Sequence, residues 1–162
     1  LWQRSPDTLE SNDNNKNIQL IFNHPVKELL WRAKRRNDTY ISWENITLKF
    51  NGSARLEERH GEYFQQVQPF YHHSAIPKKS QGIHCYSFAI KPEEHQPSGS
   101  CNFSRLDNVT LQLNNIINYE GDPVGVLKQF NGSNDSIKLN VYALAYNVLN
   151  IMSGMGALAF AN

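Results

Sequence analysis

Apolar residues along much of this chain recur at every second position. Ile18, Leu20 and Phe22 alternate with polar neighbours, as do Ile46, Leu48 and Phe50, and again Val109, Leu111 and Leu113. Period two places such side chains on one face of an extended strand, and that face needs another sheet to cover it. After the first run, His24-Pro25 interrupts before a second apolar run from Val26 to Trp31, which reads as two strands joined by a turn. The run ending at Phe50 stops at Asn51-Gly52, and an aromatic-rich run from Ile83 to Ile90 stops at Lys91-Pro92. Some seven strand candidates of this kind predict an all-β antiparallel sandwich whose two sheets share a core.

Two segments depart from the alternation. Between Gly61 and His73 the residues Tyr63, Phe64, Val67, Phe70 and Tyr71 fall at helical spacing, limited by Pro69 and Pro77. This predicts a short helical insertion whose aromatics cover an open end of the sandwich. From Leu139 to Asn162 there is no charged residue, a length that a membrane helix could use. Asn140, Asn147 and Asn150 within it, and the strand-like alternation of Tyr142 to Tyr146, argue instead for one or two buried strands followed by a glycine turn at Ser153-Gly-Met-Gly156. No membrane span is expected.

At 162 residues and 40% hydrophobic, the chain can bury one core. A net charge of +1 gives no overall field toward nucleic acid or an acidic bilayer, and Arg32-Ala-Lys-Arg-Arg36 reads as a solvated strand end. No direct contact with nucleic acid is expected. Cys85 and Cys101 are too few for a disulfide scaffold and do not match paired zinc-ligand spacing, so both are expected as free thiols. The opening residues lack the charged start, apolar centre and cleavage site of a secretion signal, and the sequence has no initiating Met. They read as a flexible arm over residues 1–17, ahead of a body over 18–162.

Seven Asn-x-Ser/Thr triplets occur, at Asn37, Asn45, Asn51, Asn102, Asn108, Asn131 and Asn134. They are candidate glycosylation sites, which would suit a secreted, glycosylated sandwich that binds a receptor or sugar. Several also carry turn chemistry, because Asn-Gly and Asn-Asp reach left-handed backbone angles cheaply.

The stretch KPEEHQPSGSCNFSRLDN, residues 91–108, concentrates Glu93, Glu94, His95 and Cys101. Adjacent carboxylates point to opposite faces of a strand or into solvent in a turn, so they are poorly placed to act together as acid and base. A cupin-like metal site would draw on His72, His73, His84 and His95 with a glutamate, but no His-x-His pair is present. A Cys101–His95 nucleophile pair would need a third orienting group. The stretch is expected to be a rigid inter-strand loop, stopped by Pro92 and turned at Pro97-Ser-Gly99, with Asn102 to Leu106 re-entering the sheet. No catalytic residue, metal ligand or cofactor is expected.

Three stretches carry a resemblance to a known family. These are Tyr86 through Arg105, Asn147 through Gly156, and the segment from Asn23 to Leu30. They are similar, in order, to the C-terminal part of the major capsid protein of nucleocytoplasmic large DNA viruses. The resemblance implies the second sandwich of a double jelly roll, in a structural protein without catalysis. It implies homotrimeric, pseudo-hexagonal capsomers that contact neighbouring capsomers and minor capsid proteins in an icosahedral shell. It further implies a place in the virion and assembly in host cytoplasm. The Gly61–His73 segment resembles the family's insertion between strands. Relative to the family the chain lacks the first jelly roll and an opening strand of the second, which would have to come from a companion chain, since an unpaired edge and a half-covered core are costly in water. Tyr63, Phe64, Phe70 and Tyr71 on the insertion, with Glu93 and His95 in the loop, are the expected subunit contacts.

Overall fold

The computed structural model describes residues 2–9, 15–35, 39–119, 127–129 and 137–158. The triplets at Asn37, Asn131 and Asn134 lie outside the described residues. The strands are β1 (Trp2–Leu9), β2 (Asn15–Gln19), β3 (Pro25–Arg35), β4 (Tyr40–Phe50), β5 (Ser53–His60) and β6 (Ile83–Ser87). They continue with β7 (Cys101–Asn102), β8 (Val109–Tyr119), β9 (Leu127–Gln129), β10 (Ile137–Ala145), β11 (Leu149–Met152) and β12 (Met155–Leu158). Every pairing is antiparallel.

Hydrogen bonding connects ten of these strands. A strand has only two edges, so the sharing of edges shows how the ladder folds. One edge of β3 carries β10, and the other carries β7 at Pro25–Val26, β6 at Glu28–Arg32 and finally β4 at Ala33–Lys34. Strand β4 in turn lies between β5 and β8, and β8 carries β2 and β9 on its far edge. The ladder thus turns over between Ala33 and Ile41 into two layers, β1-β10-β3-β6 and β5-β4-β8-β2.

The core lies between the layers. Ile137, Leu139, Val141, Ala143 and Ala145 of β10 alternate inward, opposite Leu111, Leu113, Ile46 and Leu48 of the second layer in one buried cluster. Trp31 from β3 and Trp43 from β4 both pack on the His84 ring, at centroid distances of 5.6 and 5.4 Å. The alternation of β4 and β8 slips at one place. Buried positions run 41, 43 and then 46, 48 on β4, and 109, 111, 113 and then 116 on β8. At the slip Asn115 takes φ 55°, and its Nδ2 donates to Glu44 Oε2 at 3.0 Å. Both strands rotate together there, so the apolar face stays on the core.

Two sequence expectations hold locally, a hairpin turn and a loop. The β4–β5 hairpin turns on Asn51 and Gly52, at φ 49° and 83°, and Asn51 Oδ1 accepts from the Asn108 backbone N–H at 3.0 Å. The loop expected between strands runs from Phe88 to Ser100 between β6 and β7. Both cysteines are free. Among the described residues no helix is long and apolar enough to cross a membrane.

Other expectations are corrected. Residues 2–9, predicted as part of an arm through Asn17, form β1 in register with β10 from Trp2↔Leu144 to Leu9↔Ile137, and β2 starts at Asn15. Polar composition did not prevent pairing because an edge strand gains backbone hydrogen bonds whatever its side chains. The two strands expected on either side of His24-Pro25 are present, though they are not neighbours in the ladder. β2 joins β8 and β3 joins β10, so the turn, with His24 at φ 72°, carries the chain from one layer to the other. Within the re-entry from Asn102 to Leu106 only Cys101–Asn102 pairs with the sheet, and Phe103–Arg105 forms a 3-10 turn. Among the described residues of the uncharged final segment only β10 is buried, whereas β11 and β12 form a separate exposed hairpin.

Candidate functional site

The outer surface of the β1-β10-β3-β6 layer is shaped by the helical insertion and the 88–100 loop. A π-turn over Tyr63–Val67 leads into helix α1, Gln68–His72. Pro69 has no N–H to give to the Gln65 carbonyl, and the Gln66 side-chain amide donates to that oxygen instead at 3.0 Å. The widened turn aims Phe64 into the core against Trp31, at 5.2 Å between ring centroids. On the other side Gln68 Oε1 accepts the Ser87 backbone N–H at 3.1 Å, so the insertion covers the free edge of β6. Gly61 permits the entry, since a Cβ there would overlap the Trp43 carbonyl oxygen.

Where α1 ends, His73 stands between two carboxylates. Its Nε2 is 3.0 Å from Glu28 Oε2 on β3 and its Nδ1 is 3.3 Å from Glu93 Oε1 in the loop. Hydrogen bonds to Cys85 and to Glu28 outweigh burial and raise the His73 pKa to about 10, and at neutral pH, where Cys85 is a thiol, the Glu28 carboxylate is the charge that favours the imidazolium. Glu93 Oε2 also accepts from the Ser74 N–H at 3.0 Å, and hydrogen bonds from Ser74 hold this carboxyl below its ordinary pKa. Lys27 donates to the Glu94 carbonyl at 2.9 Å and lies over the Tyr146 ring at 5.0 Å. His72 Nδ1 is 2.9 Å from the Ile90 carbonyl, and Ser98 Oγ accepts from the Lys91 N–H at 2.9 Å. These contacts clamp the loop to the sheet. A cleft of about 750 Å³ remains beside it, lined in part by Trp2, Glu28, His73, Glu93 and His95.

The chemistry of this cluster is that of a clamp. Burial pushes the Cys85 thiol pKa up, which keeps it in the un-nucleophilic protonated form. Cys101 is likewise raised by burial, and it is held in β7 against Val26. The histidines diverge. His84 is buried, donates from Nδ1 to the Gly82 carbonyl at 3.1 Å and receives the Ser42 hydroxyl at Nε2 at 2.9 Å. Burial lowers its pKa to about 3, so it is neutral. Among the described residues no group of three or more His, Cys, Asp or Glu side chains is placed to hold a metal ion.

The expected contact residues separate into two kinds. Phe70 and Tyr71 are 66% and 71% exposed and stack edge to face at 5.3 Å, forming an aromatic knob on the insertion. Glu93 and His95 are exposed in the loop. Phe64, by contrast, is 1% exposed and belongs to the core, because the π-turn rotates it inward. Tyr63 is half-buried, and its hydroxyl accepts from Gln68 Nε2 at 2.8 Å. Asn51, Asn102 and Asn108 are exposed but their side chains are engaged in turns, Asn102 Oδ1 accepting from the Ser104 N–H and Asn108 Oδ1 from the Thr110 hydroxyl. Asn45 is half-buried in β4. Arg32, from the basic run, lies 3.6 Å over the Tyr40 ring. The sequence reading missed Lys27, Glu28 and Cys85. Two charges inside the apolar run Val26 to Trp31 were the available signal, since buried charges require partners.

The chain matches the family model described as large eukaryotic DNA virus major capsid protein over residues 2–157. It is 39% identical to the major capsid protein of Pyramimonas orientalis virus, over 90% of this chain and 39% of that protein. It is 34% identical to the major capsid protein of Paramecium bursaria Chlorella virus 1, over 91% of this chain and 43% of that protein. Its fold superimposes on the quasi-atomic model of the PBCV-1 virus capsid with a TM-score of 0.76 and 30% identity, covering 99% of this chain and 51% of that one. The Faustovirus major capsid protein shares the fold at 10% identity and a TM-score of 0.67. The sandwich is therefore an antiparallel jelly roll with a short helical insertion, and the chain spans about half or less of the relatives it matches. From residue 2 to residue 157, this chain belongs to the major capsid protein family of large eukaryotic DNA viruses.

Proposed function

We propose that the chain is one sandwich of a capsid subunit, working by shape and contact rather than by catalysis. In this reading three subunits form a pseudo-hexagonal capsomer, capsomers tile an icosahedral shell together with minor capsid proteins, and assembly takes place in host cytoplasm. The jelly roll over 18–162, extended by β1, is completed by the further sandwich that the relatives' length implies. The observation that carries the proposal is the match to the PBCV-1 capsid over 99% of the chain at half of that chain's length. Phe70 and Tyr71 on the knob, with Glu93 and His95 beside the cleft, are the proposed contacts between sandwiches or subunits. They are exposed on elements that are rigidly clamped, which lowers the entropy lost on docking. The clamped cluster needs no cofactor in this role, and the Asn-x-Ser/Thr triplets at Asn51, Asn102 and Asn108 serve as turn residues.

Peptide mass spectrometry and single-particle imaging of particles purified from the native source test this reading. The expected result is this chain as a stoichiometric component, its density filling half of a hexagonal tower. Absence of its peptides from intact shells would overturn the proposal. The same spectra would report glycans at any of the seven triplets.

A further inference from the structure

The hairpin β11–β12 is the part of the chain that its own sandwich does not account for. Left-handed angles at Ser153 and Gly154, φ 52° and 79°, build a two-residue turn that fixes its register. Leu149, Ile151 and Leu158 share one face and are 60%, 70% and 50% exposed. Met152 and Met155, 74% and 75% exposed, share the other with Asn150 and Ala157. Among the described residues the hairpin pairs with no strand of the main ladder, and an isolated two-stranded hairpin is marginal in water. Nor is it a stray tail. The family model matches through residue 157, and the superposition on the PBCV-1 capsid chain takes in 99% of the sequence.

We infer that the β11–β12 hairpin is an uncharged anchor that docks into an uncharged cleft on the remaining half of the capsid subunit. The inference rests on the half-subunit reading above and names the partner of that half. Three observations select this occupant over a second copy of the chain. The relatives carry about as much chain again as is present here, or more, so the covering body is available in a single subunit. The segment from Leu139 to Asn162 holds no charge, which suits a permanent, core-like contact rather than the polar contacts made between particles that assemble late. An apolar patch left open until assembly would also promote aggregation of free subunits.

The chain's only two methionines, Met152 and Met155, lie on this hairpin and report its burial directly. The test is dilute-peroxide oxidation of the purified chain, alone and after mixing with the complementary part of the Pyramimonas orientalis virus major capsid protein. Complex formation is followed by size-exclusion chromatography. Alone, both methionines should oxidise at the rate of free methionine at every protein concentration. In the complex the rate should fall by about tenfold or more, and Ile151→Asp should weaken the complex by about tenfold while leaving the tryptophan signal of the sandwich unchanged. A complex in which both methionines still oxidise freely, or one indifferent to Ile151→Asp, overturns the anchor and leaves the half-subunit reading standing. Protection that grows with the concentration of the chain alone overturns it in favour of a second copy. No complex at all sinks the half-subunit reading and the anchor together.

Discussion

His73 Nε2 lies 3.0 Å from Glu28 Oε2, which ties the end of helix α1 to the middle of strand β3. Glu28 sits in the protein interior, where an unpaired carboxylate would be costly, and the imidazolium meets it with a matching charge. Because the second ring nitrogen reaches Glu93, one protonated side chain holds the sheet, the insertion and the loop together.

The His73 pKa is raised in the folded state from 6.5 to about 10. The folded state therefore binds the proton more tightly, and its contribution is complete below pH 6.5 and fades as pH rises toward 10. Thermal melts of the wild type should lose stability across that window. His73→Gln should flatten this limb and speed amide exchange in residues 88–100. A mutant with the same alkaline slope as the wild type would show that the pair does not control it.

His84 predicts the opposite limb. Its pKa falls from 6.5 to about 3 on folding, so only the unfolded chain takes up the proton, and stability is lost as pH drops from 6.5 toward 3. Together the two histidines place the optimum near pH 6.5. His84→Gln should weaken the acid limb while leaving the alkaline one in place. Urea titrations at pH 4.5, 6.5 and 9 measure both.

The two aromatics of the insertion should part company under substitution. Phe64→Ala opens a cavity against Trp31 and should cost roughly 3–5 kcal/mol of stability. Phe70→Ser combined with Tyr71→Ser should change stability by only about 0.5 kcal/mol per site, because both rings are exposed, yet reduce capsomer yield. Denaturation midpoints and sedimentation separate these effects, and normal assembly of the double variant would remove the knob from the interface.

Gly61→Ala should destabilise by about 2–4 kcal/mol, since the added methyl meets the Trp43 carbonyl, a backbone atom with little room to move. Ala substitution at Gly156, where the nearest atom to an added Cβ is Leu149 Cδ1 at 3.9 Å, should be nearly silent in the same assay. Equal costs at the two glycines would contradict the close approach.

The amino-acid sequence alone determined the strands whose faces differ, and these are legible because burial on one side forces the alternation. Val109, Leu111 and Leu113 are one such set, and Asn51-Gly52 marks a turn by backbone chemistry that needs no distant partner. Strand β5, exposed along nearly its whole length, carried no such pattern, and β1 is held by hydrogen bonds to β10 that composition does not encode. The clamp was hidden for a related reason. Glu28, His73, Cys85 and Glu93 are spread along the chain from residue 28 to residue 93. Only the turn-over of the ladder between Ala33 and Ile41, with the insertion laid on the edge of β6, brings these side chains within reach of one another. Tertiary structure alone also decided that Phe64 faces inward while Phe70 faces out, since helical spacing gives a stripe of aromatics and a single π-turn ahead of Pro69 rotates one of them into the core.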